Sequence, residues 1–118
     1  MDIKKETLNE VGIITFLGTT LGEPADTKNF EHHLNELIDQ KIHKIVLDLG
    51  EVQRINSTGL AILITATTLF TDCGGYKVAL AGSNDFINGA LSVTKLSQFF
   101  DCYENVGQAL DQIKNVPC

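Results

Sequence analysis

Residues 44–60 read K-I-V-L-D-L-G-E-V-Q-R-I-N-S-T-G-L, from Lys44 to Leu60. Ile45-Val46-Leu47, continued by Leu49, has the length and branching of a buried strand. Asn56-Ser57-Thr58-Gly59 follows, and the run Leu60-Ala61-Ile62-Leu63-Ile64 then opens a helix. A hydroxyl placed where a strand ends and a helix begins can cap the helix, act as a nucleophile, or accept a phosphate.

Upstream of this corner, Ile3 to Leu8 and Val11 to Leu17 read as two strands turning at Asn9-Glu10. The second is apolar almost throughout and belongs inside a sheet. Gly18 to Asp26 reads as a loop, broken by Gly18, Gly22 and Pro24. Asp26 or Thr27 is the expected cap of a helix whose apolar face is Phe30, Leu34, Leu37 and Ile38.

Downstream, the helix after Ser57 is expected from about Thr58 to Asp72, stopped by Cys73-Gly74-Gly75. A strand from Tyr76 to Ala81 comes next. Ser83 or Asn84 then caps a short helix through Phe86, Ile87, Ala90 and Leu91. Leu96, Phe99 and Phe100 form a second apolar cluster, and Phe100 to Tyr103 a short strand. Val106, Ala109, Leu110 and Ile113 repeat at helical spacing and close the chain. A leading hairpin followed by strand–helix alternation predicts an α/β fold: a mixed sheet, mostly parallel in its later part, with about four helices packed on it.

The 118 residues suit a single domain, 1–118. Hydrophobic residues at 43% against 20% charged supply a core and argue against disorder. The formal net charge of −6 argues against nucleic acid and against an anionic membrane surface as partners. Met1-Asp2-Ile3-Lys4-Lys5-Glu6 lacks the apolar stretch of a signal peptide, and Leu60–Ile64 falls short of a membrane span, so a soluble, cytoplasmic protein is expected. Cys73, Cys102 and Cys118 are odd in number and form no CxxC pair, which fits a reducing compartment and offers no zinc spacing. His32, His33 and His43 lie in or just after one helix without metal-ligand spacing. No metal or cofactor is expected.

Capping alone explains a serine at the corner, since a cap contributes about 0.5–2 kcal/mol over alanine. Asn56 and Ser57 are both good caps. A nucleophile elbow needs glycines two places either side of the serine, and Ile55 occupies the first of those positions. No GxxxxGK[ST] loop is present, so the chain does not read as an enzyme. Phosphate acceptance suits the site, because the first-turn amides and the helix dipole favour an anion there. The helix adds a second sign. Apolar and small residues span well over half its circumference, Thr68, Ala61, Thr65 and Asp72 fill the remaining strip, and Asp72 is its only charge. Either neighbouring helices bury both flanks, or part of this surface docks a partner beside Ser57.

The pattern Ile45-Val46-Leu47-Asp48-Leu49, Val52, then Ile55-Asn56-Ser57-Thr58-Gly59-Leu60, resembles the central motif of the STAS domain. It is similar to that of bacterial anti-sigma-factor antagonists, whose motif is Asp-Ser-Ser/Thr-Gly-Leu after an apolar strand. Gly74-Gly75 with Val78-Ala79-Leu80-Ala81-Gly82, and Leu91, Leu96, Phe99, Phe100 and Ala109-Leu110, extend the resemblance over nearly the whole chain. It implies a non-enzymatic switch that regulates transcription. Ser57 would be phosphorylated by a partner serine kinase that doubles as an anti-sigma factor, and dephosphorylated by a PP2C-type phosphatase. Partner contacts are expected at Asn56, Ser57, Thr58, Gly59, Leu60, Ala61 and Thr65. Two departures stand out: Asn56 replaces the family's acidic residue, and the Gly18–Asp26 loop is longer than the family's. Asn56 keeps a second reading open, a STAS scaffold that no longer switches. A nucleotide or small anion at the same helix end is a third.

Overall fold

The computed structural model describes residues 1–70 and 77–115. Strands β1 (Asp2–Leu8) and β2 (Val11–Leu17) form the antiparallel hairpin, with Asn9 and Glu10 both at positive φ, 51° and 67°. Left-handed geometry at both loop residues matches the twist of the flanking strands. There follow β3 (Thr20–Leu21), α1 (Pro24–Asp39), β4 (Lys44–Asp48), β5 (Arg54–Ile55), α2 (Ser57–Phe70), β6 (Val78–Ala81), α3 (Asp85–Val93), a 3₁₀ turn (Leu96–Phe99), β7 (Phe100–Tyr103) and α4 (Val106–Ile113).

The main sheet has the order β1-β2-β4-β6-β7; β1 is antiparallel to β2 and every other pair is parallel. Strand β4 is central, and its Ile45, Val46 and Leu47 are wholly buried. A strand covered on both faces needs a continuous apolar run, which is why Ile45–Leu47 shows no alternation. The register aligns Ile14, Leu47 and Leu80 in one row across the sheet, all fully buried. Because β2, β4, β6 and β7 run the same way, the segments that follow them gather at one end of the sheet. That end carries Ser57.

Four expectations are corrected. The Gly18–Asp26 segment is not loop throughout: Thr20–Leu21 pairs in parallel with Arg54–Ile55, and the carbonyl of Thr19 accepts the amides of Gln53 (2.7 Å) and Arg54 (3.0 Å). Helix α1 begins at Pro24 with Glu23 as its cap in place of Asp26 or Thr27, and Asp26 completes a capping box from the third helical position. Proline fits the first helical position because it lacks the amide that would have no partner there. Ile38 is exposed while Phe30, Leu34 and Leu37 are buried, so the apolar face of α1 is narrower than its periodicity suggests. In the apolar groups of α3 and the following turn, Phe86 and Phe99 are likewise exposed, whereas Ile87, Leu91 and Phe100 named with them are buried. The Cys73-Gly74-Gly75 stop lies outside the described residues.

On the edge of the sheet, Lys5 donates to Glu36 of α1 at 2.8 Å. That hydrogen bond holds the Glu36 carboxyl below its ordinary pKa, against a smaller opposing effect of burial. Its contribution to stability is therefore complete above the unfolded-state value, about 4.3, and fades as pH falls through the lower folded value. Lys5→Ala should move the Glu36 midpoint upward in a carboxyl-carbon NMR titration. Leu47→Ala should lower stability by about 2–5 kcal/mol, read as a lower urea midpoint with an unchanged slope.

Candidate functional site

The Ser57 corner is assembled around the side chain of Asn56. Its Oδ1 accepts the amide of Gly59 at 2.9 Å, and the amide of Leu60 bonds back to its carbonyl at 2.9 Å. Asn56 is thus the cap of α2, which settles the choice between Asn56 and Ser57. Its Nδ2 donates to the carbonyl of Gly22 at 3.2 Å, and its backbone amide to the carbonyl of Leu21 at 3.3 Å. One neutral amide joins the β2–α1 segment to the first turn of α2.

Two glycines permit that approach. A Cβ at Gly22, whose φ is +134°, would overlap the Asn56 side chain. A Cβ at Gly59 would strike the Ile55 side chain and the Leu21 carbonyl. Gly22 is held from its other side by Asp26, which is fully buried. Oδ2 of Asp26 accepts the amides of Gly22 (3.2 Å) and Glu23 (2.9 Å), and Oδ1 faces the Met1 ammonium at 3.3 Å. Asp26 was expected at the helix cap. It lies one turn inside, where its carboxylate orders the segment that Asn56 grips.

With Asn56 as cap, Ser57 and Thr58 are the first two residues of α2. Their amides have no partner inside the helix, and the helix dipole leaves partial positive charge at this end. Both side chains are exposed, and no hydrogen bond among the described residues engages the Ser57 hydroxyl. Gly59 is buried and Leu60 packs partly into the core, so these two shape the corner from beneath. Ala61 is exposed and Thr65 half-buried, with its hydroxyl bonded back to the Ala61 carbonyl at 3.0 Å. Residues four apart share a helix face, so Ser57, Ala61 and Thr65 form one strip.

Neither flank reading of α2 holds alone. Ile62, Leu63, Ala66, Thr67 and Phe70 are buried, whereas Ile64 and Leu69 stay open at 41% and 38% exposure. From Ser57 to Phe70 the helix carries no charged side chain. Beside it, a groove of about 280 Å³ is lined by Glu31 and Asn35 of α1 and Thr65, Thr68 and Leu69 of α2.

Other chemistry does not converge here. His32 pairs with Glu36 at 2.9 Å, Nε2 of His33 lies 3.1 Å from the carbonyl of Ile3, and His43 stands at the opposite end of β4. Burial pushes the Cys102 thiol above its ordinary pKa, which disfavours the thiolate a nucleophile needs. Among the described residues no three metal-ligating side chains come together, and no helix is long and apolar enough to cross a membrane.

This arrangement coincides with a known family, whose model, the STAS domain, matches residues 3–109. The chain belongs to the STAS domain family. A Thermotoga neapolitana protein named as a candidate anti-sigma factor antagonist is 26% identical over 80 residues, 68% of this chain and 70% of that protein. Among solved structures, a candidate anti-sigma factor antagonist from Thermotoga maritima superposes with a TM-score of 0.78 at 18% identity, covering 96% of this chain and 95% of that one. The Bacillus cell fate determinant SpoIIAA in its phosphorylated form gives 0.72 at 13% identity, covering 95% and 99%. At these identities the likeness establishes the STAS fold.

The sequence alone missed the Asp26–Gly22–Asn56–Gly59 chain of hydrogen bonds. Its only trace was an unusual count of breakers in the Gly18–Asp26 segment. Asn56→Asp keeps a good cap but replaces the donor to Gly22 with a carboxylate oxygen facing a carbonyl. It should cost about 1–3 kcal/mol, measured by urea denaturation. Equal stability of the two proteins would show that capping is all Asn56 contributes.

Proposed function

We propose that this STAS domain is a phosphorylation-controlled binding switch of the anti-sigma-factor-antagonist type, with Ser57 as the phosphoacceptor. One observation carries the reading: the Ser57 hydroxyl is exposed at the first position of α2 and engaged by no hydrogen bond among the described residues, beside an uncharged strip that stays open to solvent. The partner is a serine kinase that also acts as an anti-sigma factor. It binds the unphosphorylated form through Ser57, Thr58, Ala61 and Thr65, with Asn56, Gly59 and Leu60 holding the corner in shape. A PP2C-type phosphatase resets the switch. The domain acts by binding and carries no catalytic residue of its own.

A phosphoserine brings about −1.5 to −2 charge at pH 7. At Ser57 it meets the unpaired first-turn amides, which stabilise it locally. In a complex, the same dianion would have to shed its water against Ala61 and Thr65. That desolvation is the physical basis for release. Asn56 leaves the acceptor without an adjacent carboxylate, so it does not repel the incoming phosphate.

Protein isolated from its native cell should carry one phosphate by intact mass, and Ser57→Ala should remove it. Ser57→Asp should bind the kinase at least tenfold more weakly in calorimetry. A chain that never carries phosphate, and binds its partner equally well as Ser57→Asp, is a constitutive scaffold.

A further inference from the structure

One end of the sheet is almost free of basic side chains. The segments that follow β2, β4, β6 and β7 share one end of the sheet. They present exposed carboxylates at Glu23, Glu51, Asp85 and Glu104, with Asp48 half-buried among them. Arg54 is the one basic side chain in these segments. The connections entering the parallel strands, with the ends of α1 and α4, carry Lys41, Lys44, Lys77, Lys95 and Lys114 together with Glu10, Asp39 and Asp111. The loops at the Ser57 end therefore form a carboxylate collar, whereas lysines and carboxylates are mixed at the far end.

Within the collar stands Phe86, 57% exposed in the first turn of α3 while Ile87 beside it is fully buried. Asn84 fixes that turn twice. Its Oδ1 accepts the Ile87 amide at 2.9 Å, and its Nδ2 donates to the carbonyl of Gln53 at 3.0 Å. Helix α3 packs against β5, the strand that leads directly into Asn56 and Ser57. An exposed, rigidly mounted aromatic ring beside a docking strip is the kind of group that dominates interface energy.

We infer that the protein which acts on Ser57 presents a basic surface with an apolar recess, docking onto the carboxylate collar with Phe86 in the recess. This rests on the reading of Ser57 as the switch, and adds the chemistry of the partner. Carboxylates spread over four loops steer a basic partner from a distance, chiefly by raising its association rate. The phosphate acts at a different range. It adds to the long-range attraction, so release comes from its desolvation at the contact with Ala61 and Thr65 and not from repulsion by the collar.

The test uses the Ser57 kinase purified from extract of the native cell by its activity on the full chain. The kcat/KM for phosphate transfer is measured between about 25 and 300 mM NaCl, a range that shortens the screening length several-fold. For wild type it should fall about tenfold or more across the range. The quadruple variant Glu23→Gln, Glu51→Gln, Asp85→Asn, Glu104→Gln should be slower at low salt and nearly flat. Phe86→Ala should lose about tenfold at every salt with an unchanged urea midpoint, and Val93→Ala, at the far end of the same helix, should match wild type. A wild-type rate that is flat or rises with salt, or a Phe86→Ala rate equal to wild type, overturns the collar and leaves the switch standing. No phosphate on Ser57 in the wild type overturns both. Salt-sensitive self-association of the chain alone, abolished by the quadruple variant, assigns the collar to a second copy and overturns the basic partner.

Discussion

The corner at Ser57 depends on a side chain that must donate and accept at once. Asn56 accepts from Gly59 and donates to Gly22, and those two bonds hold separate chain segments in contact. A carboxylate offers only acceptors, so an aspartate here could cap α2 but could not donate to the Gly22 carbonyl. Everything nearby follows from that grip. Gly22 and Gly59 lack the Cβ that would obstruct it, β3 and β5 pair because their ends are pinned together, and buried Asp26 fixes the amides on the far side of Gly22.

This changes the meaning of the departure at Asn56. In the linear sequence it was a lost charge beside a candidate phosphoacceptor, and so the strongest reason to doubt a working switch. In the structure its amide is engaged by the Gly18–Asp26 segment, which supplies the carbonyl that Asn56 binds. The segment reaches the corner, and the Asn56 amide receives it.

Topology does the remaining work. Parallel strands send every strand-to-helix connection to the same end, so residues far apart in sequence, from Glu23 to Glu104, share the end of the sheet that carries Ser57. The hydrophobic effect sets only one side of α2, burying Ile62, Leu63, Ala66 and Phe70 against the sheet and leaving Ala61, Ile64 and Leu69 open. An uncharged helix surface left open beside an exposed hydroxyl is what separates this corner from an ordinary capped helix end.

The sequence by itself determined the five strands of the main sheet, the four helices, their order and the place of the corner. Apolar runs such as Ile45–Leu47, the helical spacing of Val106, Ala109, Leu110 and Ile113, and the turn at Asn9-Glu10 are local signals carried within a few residues. The Asn56-Ser57-Thr58-Gly59 motif placed the candidate site for the same reason. Pairs of residues distant in sequence were not legible. The two-residue strands β3 and β5 are too short to show a period of two, and nothing near Gly22 announces that its carbonyl meets Asn56, 34 positions later. Which apolar side chains remain exposed was equally hidden. Phe86 and Ile87 are both apolar and adjacent, and only the packing of α3 against β5 sends one into the core and leaves the other in water. Local free energies write themselves into local sequence, whereas a contact between distant segments is decided by the geometry that brings them together.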